Sequence, residues 1–303
     1  MKKNRINKKT EAWTHYWTTA PPASSSCIPC APVPVVELLQ GIWADFFDNL
    51  PRNATLLDLG TGGGAVLRAA QTRRPDLQLT GVDSAEVLPD LGEEITMLPG
   101  VCLEDLPFDN ESFDAVTSQF AVEYASLPQA ASEIKRVLSK KGVFLLICHH
   151  VDSIIVHDNV KRLAAIKSLL AGSGLLNKVI DVVRQKKILQ PKKQEYLARL
   201  LRTVQLKHPD QPIINEVAAL TVSIMTGPDC MRKLLSLHRD IEMEERRISA
   251  LKVSALQLSQ AQNLRHQLSL SEIPIQCKAI YVPGTETPLA WYIHNEHGSP
   301  TIP

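Results

Sequence analysis

No excess of either charge marks this chain: Lys and Arg number 33 against 32 Asp and Glu, a formal net charge of +1. That balance removes any global pull toward nucleic acid or an anionic membrane, so nucleic acid is disfavoured as a partner. The basic run at residues 1–9 is followed by polar and aromatic residues, and the apolar stretch of a secretory signal is missing. No segment reads as long and apolar enough to span a bilayer, which predicts a cytoplasmic protein with no membrane partner. Cysteine is sparse as well. The six, Cys27, Cys30, Cys102, Cys148, Cys230 and Cys277, form no regular framework and read as free thiols in a reducing compartment. Cys27 and Cys30 have C-x-x-C spacing, but no second such pair or closely spaced His pair completes a zinc site, and a Pro/Ser-rich loop surrounds them. They read as surface thiols, with no metal expected.

What is present suits a packed protein: 44% hydrophobic and 21% charged residues argue against wholesale disorder. A chain of 303 residues exceeds one average domain, which predicts one sheet-centred core and one appendage. Residues 1–34 are basic, then aromatic, then rich in Pro and Ser, without sustained periodicity, and read as a lead-in or cap. Val35 to Leu50 repeats apolar residues at helical spacing, as a helix covering the core would. From Ala54 to His150, short apolar runs alternate with helical patterns in units of about thirty residues, the mark of parallel β-α-β construction. Strands are predicted at Thr55–Leu59, Gln78–Val82, Ala115–Ser118 and Val143–His149, with a weaker one near Val101–Leu103, and helices at Gly63–Thr72 and Leu127–Leu138.

After Val151 the pattern is almost wholly helical, with candidates at Val160–Leu170, Leu175–Ile188, Gln194–Lys207, Ile213–Thr226 and Arg239 to about Leu268. Two strands, Gln276–Val282 and Leu289–His294, then close the chain. The expected division is a core at 35–150, a helical insertion at 151–272 that would form a substrate lid, and strands at 273–303 completing the sheet.

The chemistry concentrates at Leu56-Leu57-Asp58-Leu59-Gly60-Thr61-Gly62-Gly63-Gly64-Ala65, an apolar strand entering a glycine turn and then a helix. Glycine suits such a turn because the backbone needs special angles and a ligand must approach main-chain atoms closely. The G-x-G-x-x-A spacing also fits a nicotinamide-dinucleotide fingerprint, so the turn alone leaves that reading open. Asp58 separates the two. A carboxylate two residues before the first glycine repels a pyrophosphate but suits a ligand with an ammonium and a sulfonium, such as S-adenosylmethionine. Asp83, closing the second strand, would accept hydrogen bonds from ribose hydroxyls in either case. As simple structural residues, Asp58 would cap the turn and Asp83 a helix.

Leu57 to His150 resembles the class I methyltransferase domain, in particular its ubiquinone/menaquinone-methyltransferase-like, type 11 branch. Beyond the glycine segment, the resemblance rests on Glu104-Asp105-Leu106-Pro107-Phe108 through Ser112-Phe113-Asp114, and on Glu133-Ile134-Lys135-Arg136-Val137-Leu138 through Gly142, in order and at family-like spacing. It covers about a third of the chain. It implies an α/β, Rossmann-like fold: a seven-stranded, mostly parallel sheet with helices on both faces and the helical insertion before the last two strands. It implies S-adenosylmethionine as cofactor and methyl transfer to a small molecule; the abundant Leu, Ile and Val of the insertion suggest an apolar or aromatic acceptor.

Carried over by position, Gly60, Thr61, Gly62 and Gly64 would line the methionine and ribose portion, Asp58 would lie near the amino group, and Asp83 with Ser84 would hold the ribose. Leu103 would offer backbone to adenine. Cys102 stands where relatives often place an acidic residue, a departure that Glu104 or Asp105 would have to make good. Ser118, Gln119 and Phe120 would sit beside the methyl group. His149 and His150, ending the fifth strand, are the acid/base candidates, with Glu123 and Tyr124 as alternatives. In the aromatic stretch Trp13 to Trp17, Tyr16 and Trp17 would close the pocket or else anchor the segment on the core. The competing functions are a binding protein without catalysis, for which Cys102 is the hint, an RNA methyltransferase using the lysine-rich stretch Arg184–Lys193, and a nucleotide-dependent oxidoreductase.

Overall fold

The computed structural model describes residues 2–19, 31–185, 191–225, 227–269 and 273–295, and for 2–9 the backbone only. Cys27 and Cys30 lie outside the described residues, as do Lys186 and Lys187 of the lysine-rich stretch. The chain divides into two units, residues 1–156 with 253–303, and residues 157–252.

The first unit is built on seven strands, β1 (Thr55–Leu59), β2 (Gln78–Asp83), β3 (Ile95–Pro99), β4 (Phe113–Gln119), β5 (Leu138–His149), β6 (Ile275–Tyr281) and β7 (Pro288–Asn295), in the order β3-β2-β1-β4-β5-β7-β6. β1 to β5 pair in parallel, while β7 runs antiparallel to both β5 and β6. The order reverses between β1 and β4, so the crevice at their C-terminal ends is the natural ligand position in an open sheet of this kind.

Alternation along the strands builds two apolar layers. Leu56, Ala115, Leu145 and Ile147 join the layer that also holds Leu39, Trp43, Phe46 and Phe47 of α2 (Val33–Asp48) and Val66 and Leu67 of α3 (Ala65–Arg73). Leu57, Val116, Phe144 and Leu146 join the opposite layer, with Ile134 of α4 (Leu127–Val137) and Leu264 of α10 (Leu258–Gln267). The doubly wound, mostly parallel sheet expected from the sequence is thus present.

Several elements differ from the sequence expectation. The third strand is Ile95–Pro99, and the Val101–Leu103 run is a turn: left-handed Gly100, at φ 73°, ends the ladder, and Val101 N–H turns back to Asp83 O at 2.9 Å. The lead-in contains a helix, α1 (Lys2–Thr19), despite its weak periodicity. The long helix expected over Arg239–Leu268 is two, α9 (Cys230–Ser254) and α10. Leu256 interrupts it, exchanging backbone hydrogen bonds with His149 (2.8 Å) and Val151 (3.1 Å), while its carbonyl accepts the Trp291 indole N–H at 2.9 Å. A Gln257/Gln260 capping box then restarts the helix. These bonds tie together the two chain segments that leave for and return from the second unit, as an inserted unit with neighbouring ends requires.

The second unit draws on α5 (Ile154–Leu170), α6 (Leu175–Arg184), α7 (Pro191–Lys207), α8 (Pro212–Met225) and α9 around a core that includes Ile166, Leu169, Leu176, Val179, Ile214, Val217 and Leu234. Against the sequence expectation, one stretch of the described residues, Ile154–Arg184, is long and apolar enough by composition to cross a membrane. It is broken into α5 and α6 at residues 171–174, and half of its apolar window is buried.

Candidate functional site

The turn after β1 is shaped by backbone conformations that side chains resist. Gly60, Gly62 and Gly64 all lie at positive φ. A Cβ on Gly60 would fall 2.2 Å from Ala121 Cβ, and one on Gly62 would fall 2.1 Å from the Trp17 indole, so both contacts exist only because no side chain intervenes. α3 begins directly after Gly64.

Two carboxylates are built into this turn. Asp83, at the end of β2, accepts from Gly62 N–H at 3.0 Å and from Ala85 N–H at 2.8 Å. Burial raises its carboxyl above the ordinary value, against the pull of the Ala85, Gly62 and Ser84 N–H groups. Asp58, at the penultimate position of β1, is buried and accepts from the Thr117 hydroxyl at 2.8 Å on neighbouring β4. Burial, with a smaller contribution from the Asp83 charge, pushes Asp58 up to about 7 even though hydroxyl hydrogen bonds oppose it. No salt bridge reaches either carboxylate among the described residues. A buried carboxyl without a cation is costly to ionise, and a cationic ligand would lift that cost.

The expected site residues separate into groups. Asp58, Gly60, Thr61, Gly62, Gly64, Asp83 and Ser84 surround the β1 and β2 ends. Gln119, ending β4, is engaged: its Oε1 accepts the Trp43 indole N–H at 2.6 Å. Ser118 donates to Leu59 O at 3.0 Å and accepts from Val122 N–H, which fastens the end of β4 to that of β1. Leu103 is buried and Cys102 exposed in the turn after β3, with burial of its sulfur and the nearby Glu104 and Asp105 charges raising the thiol. Glu104 is committed to Ser126 N–H at 2.8 Å at the start of α4.

His149 and His150 diverge, as neighbours on a strand must. His149 is buried against Phe120, with ring centroids 4.5 Å apart, and Tyr124 at 6.0 Å. Glu123 Oε1 accepts the His149 backbone N–H at 2.8 Å and lies 2.6 Å from ring Nδ1. His150 stacks on Trp291 at 4.4 Å, its Nδ1 accepts from Asp152 N–H at 3.0 Å, and burial lowers its pKa. The structure gives His150 a packing and turn-forming environment in the layer opposite His149. Trp13 of α1 packs edge-on against Tyr124 at 5.7 Å, Trp17 rests on Gly62, and the Thr14 hydroxyl accepts from Glu86 N–H at 2.9 Å. The lead-in helix therefore lies along the loops that follow β1, β2 and β4, and Tyr16 packs against both Trp13 and Trp17 within it.

Thr117 and Trp43 acquire roles that no motif marks. The signal for Thr117 was its even register with Asp58 across adjacent strands. Trp43 sits on the apolar stripe of α2 and differs from its neighbours only in an indole N–H that needs an acceptor. Phe120 has φ 57°, a left-handed conformation costing about 1–3 kcal/mol for a bulky residue, which concentrates strain where β4 ends. The second block behind the resemblance is structural: Glu133 accepts from Leu106 N–H at 2.8 Å, and Arg136 donates to Leu106 O and Phe108 O at 2.9 and 2.6 Å, holding the 104–110 loop under the sheet edge.

Residues 57–146 match the family model described as a methyltransferase domain. Over that segment, about a third of the chain, the sequence is similar to methyltransferase domains. Curated relatives include a demethylmenaquinone methyltransferase of Thermotoga maritima, 32% identical over 30% of this chain and 42% of that protein, and a ubiquinone/menaquinone biosynthesis C-methyltransferase of Geotalea daltonii, 27% identical over 42% and 58%. The chain thus spans about half the length of the curated relatives it matches. Among solved structures, the YcgJ protein of Bacillus subtilis aligns over 84% of this chain and 94% of its own, at 15% identity and a TM-score of 0.35.

Proposed function

We propose that this chain is an S-adenosylmethionine-dependent methyltransferase acting on a small, apolar or aromatic acceptor. The observation that carries the reading is the pair of buried carboxylates at the glycine turn, Asp58 raised to about 7 and Asp83 with its own value raised. The donor set fits the cofactor: two anionic groups without a cationic partner suit a ligand with an ammonium and a sulfonium, whereas a diphosphate there would meet like charge. In this reading Asp58 faces the ammonium, Asp83 and Ser84 serve the ribose, the backbone of Gly60, Thr61, Gly62 and Gly64 borders the methionine chain, and Leu103 with Cys102 borders adenine. Gln119, fixed by Trp43, stands at the end of β4 beside the reacting centre.

When bound, S-adenosylmethionine supplies an electrophilic methyl carbon on a cationic sulfur. The protein's share is alignment and exclusion of water, because charge is lost at sulfur as the methyl moves. Trp17 and Tyr16 of α1 would cover the turn, and the apolar character of the helical unit favours an apolar acceptor.

Isothermal titration calorimetry tests the reading. S-adenosylmethionine and S-adenosylhomocysteine should bind with micromolar or tighter Kd, with no heat from NAD at the same concentration. NAD binding with silence from both sulfur nucleosides would refute the proposal.

A further inference from the structure

Glu123 and His149 form a buried pair that cofactor binding does not use. The Glu123 side chain is fully buried and that of His149 is 6% exposed. Glu123 belongs to the 3-10 turn Val122–Tyr124 directly after β4, and His149 is the last residue of β5, so the sheet itself sets their spacing at the edge where ligands bind. One carboxylate oxygen does two tasks, accepting the His149 main-chain N–H and standing 2.6 Å from ring Nδ1, where an ionised carboxylate can only accept a proton held on the ring. Two bonds from one oxygen fix the ring's position and its tautomer together, because a proton held on Nδ1 leaves the lone pair on Nε2 in the neutral imidazole. No hydrogen bond engages Nε2 among the described residues. Glu123 Oε2 is buried without an oxygen or nitrogen partner, and the Cys148 thiol nearby is a weak donor whose own pKa is driven well up by burial and then by the Glu123 charge. A carboxylate left half satisfied in a buried site adds stability poorly; it does favour a positive charge on the imidazole it touches. Around the imidazole stand the rings of Phe120, in its strained conformation, and Tyr124, which in turn meets Trp13.

We infer that Glu123 is a positioning residue that holds His149 as the general base of the reaction, and that the acceptor is one that must lose a proton when it is methylated. This rests on the methyl-transfer reading above. His149 Nε2 takes the proton from the acceptor's hydroxyl, thiol or acidified carbon as that atom bonds the methyl carbon; the methyl–sulfur bond breaks and its electron pair stays on sulfur. The imidazolium, stabilised by Glu123, then gives its proton to water. The groups around the ring that titrate are Glu123 and Tyr124 on the turn and Cys148 on its own strand.

The test is nitrogen-15 NMR of histidine-labelled protein, free and saturated with S-adenosylhomocysteine, with Glu123→Gln and Glu123→Asp variants alongside. The wild-type spectrum should show His149 as the Nδ1–H tautomer, and this readout needs no variant to fold. Glu123→Gln, whose amide would face Nδ1 with an N–H, should move the ring proton from Nδ1 to Nε2 and slow radiolabelled methyl transfer into cell extract about 10-fold to 100-fold. Its affinity for S-adenosylhomocysteine should stay within twofold of wild type, and Glu123→Asp should recover part of the rate. An Nε2–H tautomer in the wild type, or an unchanged tautomer and rate in Glu123→Gln, would overturn the inference. Absence of S-adenosylhomocysteine binding to the wild type would instead strike the methyl-transfer reading, and the free-protein tautomer would still decide the pairing of Glu123 with His149.

Discussion

Both units bury carboxylates, and they treat them in opposite ways. In the helical unit, burial acts to raise Glu244, but Arg247 and Arg162, with contacts of 2.9 and 3.2 Å, outweigh it and hold the carboxyl below its ordinary value. In the sheet unit, the groups that act on Asp58 among the described residues are the Thr117 and Thr61 hydroxyls and the Asp83 carboxylate, and burial keeps it raised to about 7. A charge neutralised from within contributes to structure; one left without a counter-charge is stabilised when a cation arrives from outside. The difference marks the first unit as the place where a positively charged ligand gains most.

Three variants sharpen the contrast. In the free protein Asp58 is an acid whose folded value is raised, so its contribution to stability is full below about 4 and is lost as pH rises through about 7, by up to about 4 kcal/mol. Asp58→Asn should remove the Asp58 share of that slope, seen as a melting temperature in thermal denaturation that falls less than in the wild type between pH 5 and pH 8. Glu244→Ala removes the carboxylate that Arg162 and the buried Arg247 share and should cost about 3 kcal/mol in urea denaturation, with cofactor affinity unchanged. Asp83→Asn should weaken S-adenosylhomocysteine binding roughly 100-fold in calorimetry, about 2.7 kcal/mol. If Glu244→Ala weakened binding as much as Asp83→Asn, the division of roles between the units would fail.

Much of this was legible in the residue pattern, and the exceptions have physical causes. The glycine turn and its flanking carboxylates announce themselves because the backbone angles they need exclude most other residues, and the parallel strands read as continuous apolar runs. The third strand was misplaced by two apolar residues, Val101 and Leu103, that face inward from a turn. The break at Leu256 carried no Gly or Pro, since it is made by pairing with His149 and Val151 about a hundred residues earlier. α1 was hidden by its composition: Trp13, Thr14 and Trp17 contact loops from three different strands, and no local period encodes that. The pairing of Glu123 with His149 likewise depends on β4 and β5 lying side by side, which only the assembled sheet reveals. Of the adjacent histidines, strand alternation alone assigns one to each layer, but which one faces the crevice depends on register.

Carbon-13 NMR of the Asp58 carboxyl, titrated with and without S-adenosylmethionine, bears most directly on the proposed electrostatics. The free protein should titrate near 7, and saturation with the cofactor should lower that midpoint by two units or more, so that binding releases a proton at neutral pH and tightens as pH rises from 5 to 7. A midpoint that stays in place or climbs on saturation would mean that Asp58 does not meet the cofactor's positive charge.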